Sequence, residues 1–350
     1  MTLPQSLQPQ TLLALAIGAF SGSLAAWLHL PLPWMMGSMI GTTIAALAGI
    51  RMRGPHKLRP IVMPVLGVML GSSITADVLA ALPQWGVTIA MLIPFMGIGA
   101  GVGYVIYRKM GGYDPVTAYF AAMPGGLAEM LVMGEQYGGN ERRIALAHAT
   151  RILISILVIS LFFGLVLGVT TSGGSKNWTG LDALGLRDWI ILGLCAAVGA
   201  VAGRKLNLPA SSVFGPLILS GIAHATGLVA VAPPNVLVIL AQIVMGTTIG
   251  SRFIGAKLRD IGRDMMIGTL TTVVLLAVSA LVAWVVHLMT GVAPAQAFLA
   301  YAPGGLSEMS LLALAMDQEV AYVSLTHLAR IMMVVAFAGL FFTRLFRPKA

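Results

Sequence analysis

Charge is scarce in this sequence. Asp, Glu, Lys and Arg make up 9% of its 350 residues, where a soluble domain carries about 25%. With 58% hydrophobic residues, a water-soluble globule is excluded. Cysteine occurs once, at Cys195 inside an apolar run, so an intrachain disulfide is excluded as well. Sustained alternation of apolar and polar residues is missing, which argues against a membrane β-barrel. Acidic residues are the rarest charges, 12 against 21 basic ones, for a net charge of +9. That excess does not point to nucleic acid. No helix-turn-helix or zinc-finger spacing occurs, and Lys and Arg gather in short loops between apolar runs, the pattern that orients membrane proteins. The first ten residues, MTLPQSLQPQ, hold no Lys or Arg. The first apolar run is therefore expected to be kept as a span rather than removed as a signal peptide.

What remains is apolar sequence in blocks. Ten runs fall near 11–29, 33–50, 61–82, 86–107, 143–168, 188–206, 212–231, 235–254, 265–288 and 320–343, and roughly 20 apolar residues make one helical span. Before the last run of each half lies a segment broken by Pro-Gly-Gly. Met123-Pro124-Gly125-Gly126-Leu127-Ala128-Glu129-Met130 returns as Ala302-Pro303-Gly304-Gly305-Leu306-Ser307-Glu308-Met309. Six of the seven residues from Pro124 to Met130 recur, at an offset of 179. The same offset pairs Gly67 with Gly246, Gly71-Ser72 with Gly250-Ser251, Pro115 with Pro294, His148 with His327 and Arg151 with Arg330. An offset of 178 pairs Leu30-Pro31 with Leu208-Pro209 and Gly37 with Gly215. Self-similarity at a fixed spacing reads as an internal duplication. Residues 1–169 form the first membrane repeat and 188–350 the second, joined by a polar, Gly/Ser-rich linker at 170–187.

Loop charge sets the expected topology. The loop Arg51 to Arg59 is basic and its counterpart, Val229 to Asn235, is neutral. Arg108-Lys109 faces His287-Leu288, which has no Lys or Arg. Elsewhere the bias reverses: Ala76 to Gln84, which has no Lys or Arg, faces a loop holding Arg252, Lys257, Arg259 and Arg263. Equivalent loops on opposite sides are the signature of inverted-topology repeats. Inversion requires an odd number of crossings per half. Five spans plus one re-entrant Pro-Gly-Gly hairpin, at 115–137 and 294–316, satisfies it. With both termini cytoplasmic, 17 of the 21 Lys and Arg fall inside, two (Lys176 and Arg187) outside, and two (Arg151 and Arg330) within spans. Twelve full crossings would leave 11 inside and 8 outside. The expected fold is thus all-α and integral to the bacterial inner membrane, with about ten transmembrane helices and two hairpins.

The chemistry-bearing residues lie in and beside the hairpins. Pro124, Gly125 and Gly126, like Pro303, Gly304 and Gly305, put broken backbone at membrane depth, where it is tolerated only inside protein or along a wet cavity. Freed N–H and C=O groups there can meet a ligand; the plainer alternative is a kinked span packing through its glycines. Glu129 and Glu308 are carboxylates at the same depth, expected either to couple protons or cations or to satisfy a helix start. His148 with Arg151, and His327 with Arg330, sit at i and i+3 on one helix face. These arginines are candidates for binding an anionic group bidentately, against snorkelling or pairing with Glu129 and Glu308. Gly71-Ser72-Ser73 and Gly246 to Ser251 are weaker candidates, more simply read as close helix packing. His29, His56, His224 and His287 are scattered without ligand spacing, so no metal or other cofactor is expected. No nucleophile–base set suggests an enzyme.

The paired Pro-Gly-Gly-Leu-x-Glu-Met motif in a duplicated membrane chain resembles the AbrB-duplication family of bacterial membrane proteins, over essentially the whole length. Members carry labels such as transcriptional regulator or ammonia monooxygenase. The resemblance implies an integral membrane location and a loose link to regulation of gene expression. It does not imply the strand-rich AbrB DNA-binding fold or a monooxygenase's clustered metal ligands. Five spans and a Gly-rich hairpin per inverted half is also similar, in architecture alone, to glutamate–sodium symporters and citrate-type 2-hydroxycarboxylate transporters. The expected function is secondary transport of a small anionic solute by alternating access. Its partners would be the lipid bilayer, the solute, H+ or Na+ as coupling ion, and a second copy in a homo-oligomer. The alternative is a membrane-embedded sensor acting on gene expression through a partner protein.

Overall fold

The structure is a computed structural model that describes residues 8–30, 32–166, 179–208, 210–256 and 258–346. Among these no β-strand occurs. In chain order the helices are α1 (Pro9–Trp27), α2 (Pro33–Leu47), α3 (Arg59–Gly71), α4 (Ala76–Ala81), α5 (Gly86–Lys109), α6 (Pro115–Ala122), α7 (Leu127–Gln136) and α8 (Glu141–Leu161). They continue with α9 (Leu186–Lys205), α10 (Ser211–Ala225), α11 (Asn235–Gly250), α12 (Leu258–Thr290), α13 (Pro294–Tyr301), α14 (Leu306–Ala315) and α15 (Val320–Phe346).

Every one of the ten apolar runs contains a helix, and among the described residues seven helices are long and apolar enough to cross a membrane: α1, α5, α8, α9, α11, α12 and α15. The other three are shorter than read from hydropathy. α2 and α10 have 15 residues and α3 has 13, about 20–23 Å at 1.5 Å per residue. Turn chemistry inside the apolar runs stops them. Gly49 and Gly227 take positive φ (+80° and +72°) just past α2 and α10, the left-handed helix stop that glycine allows. α3 ends at Gly71, where Ser72 and Ser73 begin a turn. Hydropathy counts apolar residues and is blind to these stops. Of the 170–187 linker, positions 170–178 lie outside the described residues. Its end is ordered by Asp188, which accepts a hydrogen bond from the Gly185 N–H (3.1 Å) at the start of α9.

The chain divides into two compact units, each drawing segments from both halves of the sequence. Unit 1 comprises 1–82, 156–257 and 310–321. Within it α1 packs on α2, α9 on α10, α2 on α11 and α3 on α10. Glycines permit these contacts. A Cβ on Gly37 of α2 would collide with the Ser21 carbonyl of α1, and one on Gly215 of α10 with the Gly199 carbonyl of α9. Gly246 and Gly250 of α11 meet the carbonyls of Met35 and Met39, while Gly67 and Gly71 of α3 meet those of Val213 and Leu217. Small residues that let backbones touch are the usual currency of helix packing where the surroundings are as apolar as the core. Cβ collisions of this kind are what the close-packing reading of Gly71 and Gly246 expects, and α11 stays helical through Gly250.

Unit 2 comprises 83–155, 258–309 and 322–350. Here α5 packs on α6, α12 on α13, and α5 on α12. Tyr119, Phe120, Met130 and Ile144 form one apolar cluster with Val334, Ala338 and Phe342 of α15, and the Tyr119 hydroxyl donates to the Ala338 carbonyl at 2.8 Å. Two contacts in this unit occupy positions 179 apart yet differ in chemistry. Arg143 pairs with Asp264 at 3.5 Å and lies over the Tyr113 ring, 4.8 Å from its centroid. The corresponding positions hold Tyr322 and Trp85, ring edge to ring face at 5.3 Å, with the Tyr322 hydroxyl 2.7 Å from Thr88 Oγ1. Because the Arg143 side chain is 40% exposed, Arg143→Ala should cost only about 1 kcal/mol. That cost should shrink as salt is raised. Trp85→Ala should cost more and show no such salt dependence. Thermal unfolding in neutral detergent at low and high salt checks both.

The 178–179 spacing reaches the backbone too. Among the described residues eleven have positive φ. Ten of them fall into pairs: His29 with Asn207, Leu32 with Ala210, Gly49 with Gly227, Gly112 with Gly291, and Gly138 with Asp317. Only Gly255 is left over. Asp317 sits where the first half has glycine, which residue identity alone does not reveal.

Candidate functional site

Each Pro-Gly-Gly motif interrupts a helix in unit 2. α6 ends at Ala122, and Met123 (φ −59°, ψ 130°) and Gly126 (φ −65°, ψ 138°) are extended, with a bend at Gly125 between them, before α7 starts. In the second copy α13 ends at Tyr301, Ala302 is extended (φ −54°, ψ 142°), and α14 starts at Leu306. α6 and α13 have 8 residues, α7 and α14 have 10, about 12–15 Å each. Pro124 and Pro303 have no N–H to offer and the extended turn breaks the helical ladder. Carbonyls of residues 122–125 and 301–304 must therefore find donors elsewhere.

Arginine supplies them. Arg151 of α8 donates from Nη1 to the Met123 carbonyl at 2.9 Å and from Nη2 to the Gly125 carbonyl at 3.4 Å. Arg330 of α15 donates from Nη1 to Ala302 at 2.9 Å and from Nη2 to Gly304 at 3.0 Å. The histidine one turn earlier completes each arrangement. His148 Nε2 is 3.0 Å from the Phe120 carbonyl and its Nδ1 is 2.8 Å from Arg151 Nη2. His327 Nε2 is 2.9 Å from the Leu299 carbonyl and its Nδ1 is 2.7 Å from Arg330 Nη2. These partners fix the tautomer. A carbonyl can only accept, so Nε2 carries the proton; a guanidinium can only donate, so Nδ1 is the acceptor. Both imidazoles are therefore neutral, and each acts as a brace between its arginine and the broken helix. All four hydrogen bonds repeat at the offset of 179.

Burial and charge set this arrangement apart from an ordinary clamp. His148 and His327 are fully buried, and Arg151 and Arg330 are 7% and 3% exposed. Snorkelling to an interface, one sequence expectation, is not what these arginines do. Neither do they pair with Glu129 or Glu308: among the described residues the one ion pair is Arg143–Asp264. Each carboxylate instead folds back over its own motif, Glu129 against Gly126 and Glu308 against Gly305, at the third position of the helix that follows. A carboxylate there sits in the favourable field of the helix N-terminus. Glu308 also accepts from Ser307 Oγ at 2.9 Å, while the first copy has Ala128 at that place. Both arginines keep one donor unmet, since Arg151 Nε and Arg330 Nε are buried without an acceptor. Their charges are near enough to act on one another.

The two motifs also touch through each other's helices. Ser155 of α8, one turn past Arg151, donates to the Pro303 carbonyl at 3.3 Å. Val334 of α15, one turn past Arg330, lies 2.6 Å from where a Cβ on Gly125 would stand. Sequence reasoning missed both residues, although their four-residue spacing from the arginines placed them on the same helix face. Ser279 was missed as well; its hydroxyl lies 3.1 Å from the Tyr301 carbonyl at the end of α13. The structure thus brings together Pro124, Gly125, Gly126, Glu129, His148 and Arg151 in one group, and Pro303, Gly304, Gly305, Glu308, His327 and Arg330 in the other.

The motif and its surroundings are those of a known family. The family model described as "Transition state regulatory protein AbrB" matches residues 34–347, nearly the whole chain and both motifs. The chain belongs to the AbrB family. Two relatives match over most of their length. The Escherichia coli (strain K12) protein named "Putative regulator AbrB" is 25% identical over 299 residues, covering 84% of this chain and 84% of its own. The Bacillus subtilis (strain 168) protein named "Uncharacterized protein YhjN" is 25% identical over 350 residues, covering 92% of this chain and 89% of its own. The AbrB family model thus matches a helical chain in which, among the described residues, seven helices are long and apolar enough to cross a membrane.

Proposed function

We propose that this AbrB-family protein is a secondary transporter of a small anionic solute. The two broken-helix groups would be the halves of one intramembrane site. They would be carried as re-entrant hairpins by two inverted-topology repeats and exposed to either side by alternating access. One observation carries the reading: Arg151 and Arg330 are buried without a carboxylate partner among the described residues. Each also holds an Nε–H with no acceptor. An uncompensated buried guanidinium costs several kcal/mol, and paired ionisable residues within a membrane segment mark a solute pathway by default. An anion would meet the spare donors and relieve the repulsion between the two charges. The repeat reading is supported by the matched hydrogen bonds and by the ten paired positive-φ residues; the inversion is supported by the opposite charge of equivalent loops.

In this reading the arginines balance the anion, and the histidines hold the arginines. Because Nδ1 of each imidazole already accepts from a guanidinium, a proton reaching His148 or His327 would break that bond. Glu129 and Glu308, free of the arginines, are the better candidates for proton or cation coupling. A membrane sensor acting through a partner protein is the second reading, favoured by the regulator name of the Escherichia coli relative.

Reconstitution separates the two. Purified protein in liposomes should accumulate at least one of a panel of labelled mono- and dicarboxylates, phosphate and sulfate under an imposed pH or sodium gradient. An anion that raises the melting temperature by linkage without net movement would favour the sensor. No anion in either assay would contradict an anion site.

A further inference from the structure

A second concentration of positive charge lies in unit 1, far along the chain from the two motifs. The 53–58 loop and Thr11 of α1 enclose a cavity of about 80 Å³. The cavity opens to solvent and has room for a tetrahedral oxyanion. Arg53, His56 and Lys57 contribute to its wall. The loop is held in shape. Arg53 donates from its backbone N–H to the Gln10 carbonyl at 3.1 Å, and from Nη1 to Gln8 Oε1 at 3.0 Å. Leu58 N–H closes a turn onto the Pro55 carbonyl at 2.9 Å. Gly54 permits the turn to close against unit 1, since a Cβ there would collide with Ser251 Oγ and stand 2.7 Å from His56 Nε2.

The described lining of this cavity carries basic side chains and no acidic one. No Asp or Glu occurs in residues 1–76 or 189–259, the stretches that supply the loop, α1 and the Ser251–Phe253 turn after α11. The charged groups acting on His56 are Arg53 from its own loop, Arg59 at the start of α3 and Arg252 from that turn, all positive; the neighbouring Gln8, Gln10 and Thr11 are uncharged. Positive loops on one membrane side are common, but a shaped cavity lined by Arg53, His56 and Lys57 is a further feature.

We propose that this cavity binds a phosphate-type oxyanion, either the headgroup of an acidic phospholipid or a free anion from solution. Arg53 and Lys57 would hold it, and His56 would join them as a third donor on protonation. Without the anion, partial desolvation of this surface ring and the charges of Arg252, Arg59 and Arg53 hold the His56 imidazole below its usual value. The ring is then neutral at pH 7, and its unmet protonation penalises the folded protein as pH falls below about 6.5. A bound anion reverses the sign of that field.

The test is a ¹³C NMR titration of the histidine rings in full-length protein, with the His56 signal assigned by His56→Gln. The protein is compared in neutral detergent with and without inorganic phosphate. It is also compared in nanodiscs of phosphatidylcholine with and without phosphatidylglycerol. A rise of the His56 pKa by about one on adding phosphate would identify a free oxyanion site. A rise only with phosphatidylglycerol would identify a lipid headgroup site. In either case Arg53→Gln with Lys57→Gln, both at exposed positions, should abolish the rise. No rise under either condition, or a rise that survives the double substitution, would overturn the proposal.

Discussion

Arg330→Ala is expected to lower stability by about 2–4 kcal/mol and to abolish anion movement. Truncation strips donors from the carbonyls of Ala302 and Gly304 and from His327 Nδ1, and an orphaned buried acceptor costs about 1–3 kcal/mol. Relief from burying a charge offsets part of that sum, which keeps the net loss below the total of the three. Arg151→Ala should follow the same pattern with a smaller loss. Its second carbonyl contact is longer, 3.4 Å against 3.0 Å, and the residue is somewhat more exposed, 7% against 3%. Lysine at either position keeps the charge but lacks the planar fork that reaches two carbonyls and a histidine together. Arg330→Lys should therefore fold better than Arg330→Ala and still move anions poorly. Thermal unfolding in detergent reads the first effect and flux in liposomes the second. If both alanine variants moved every transported anion at the parental rate, the arginines would be helix clamps and nothing more.

Gly215→Val should prevent the protein from accumulating in the membrane. The glycine sits where α10 crosses α9, and any Cβ would collide with the backbone carbonyl of Gly199. Overpacking a core costs about 1–3 kcal/mol when side chains can shift. Here the obstacle is backbone, so α9 and α10 would have to separate along the crossing that Gly199, Gly203 and Gly215 form. Gly37→Val should do the same at the crossing of α1 and α2. Gly193→Val is the control, because no atom lies within 4 Å of a Cβ built there, although it is on α9 too. Membrane-fraction yield and melting temperature of the three variants would rank them. Equal yields would mean that the helix crossings are looser than these contacts require.

The sequence made some of this architecture readable and hid the rest for identifiable reasons. The Pro-Gly-Gly breaks were legible because Pro and Gly act locally, and the pairing of His148 with Arg151 because i and i+3 share a helix face. The partners of Arg151 were not legible. They are the carbonyls of Met123 and Gly125, and backbone groups leave no mark in residue types, whereas Glu129 did and drew the expectation of an ion pair. The lengths of α2, α3 and α10 were overread because Gly49, Gly227 and the Ser72-Ser73 turn sit inside runs that remain apolar. The division into two units was hidden as well. It depends on contacts such as Gly71 with Leu217 and Gly250 with Met39, which lie far apart in the chain, and spacing says nothing about which distant helix a glycine will meet.

Everything proposed for the two arginine groups depends on their being carried in opposite orientation, and thiol labelling tests that without knowing the solute. Cys195 is the single cysteine, so Cys195→Ala gives a silent background. Met110 and Met289 are 49% and 60% exposed and stand 179 residues apart, each just before a positive-φ glycine, Gly112 or Gly291. In right-side-out vesicles a membrane-impermeant maleimide should label Met289→Cys and leave Met110→Cys untouched. In inside-out vesicles the pattern should reverse. Labelling of both cysteines from the same side would contradict the inverted pair and, with it, the single site built from two halves.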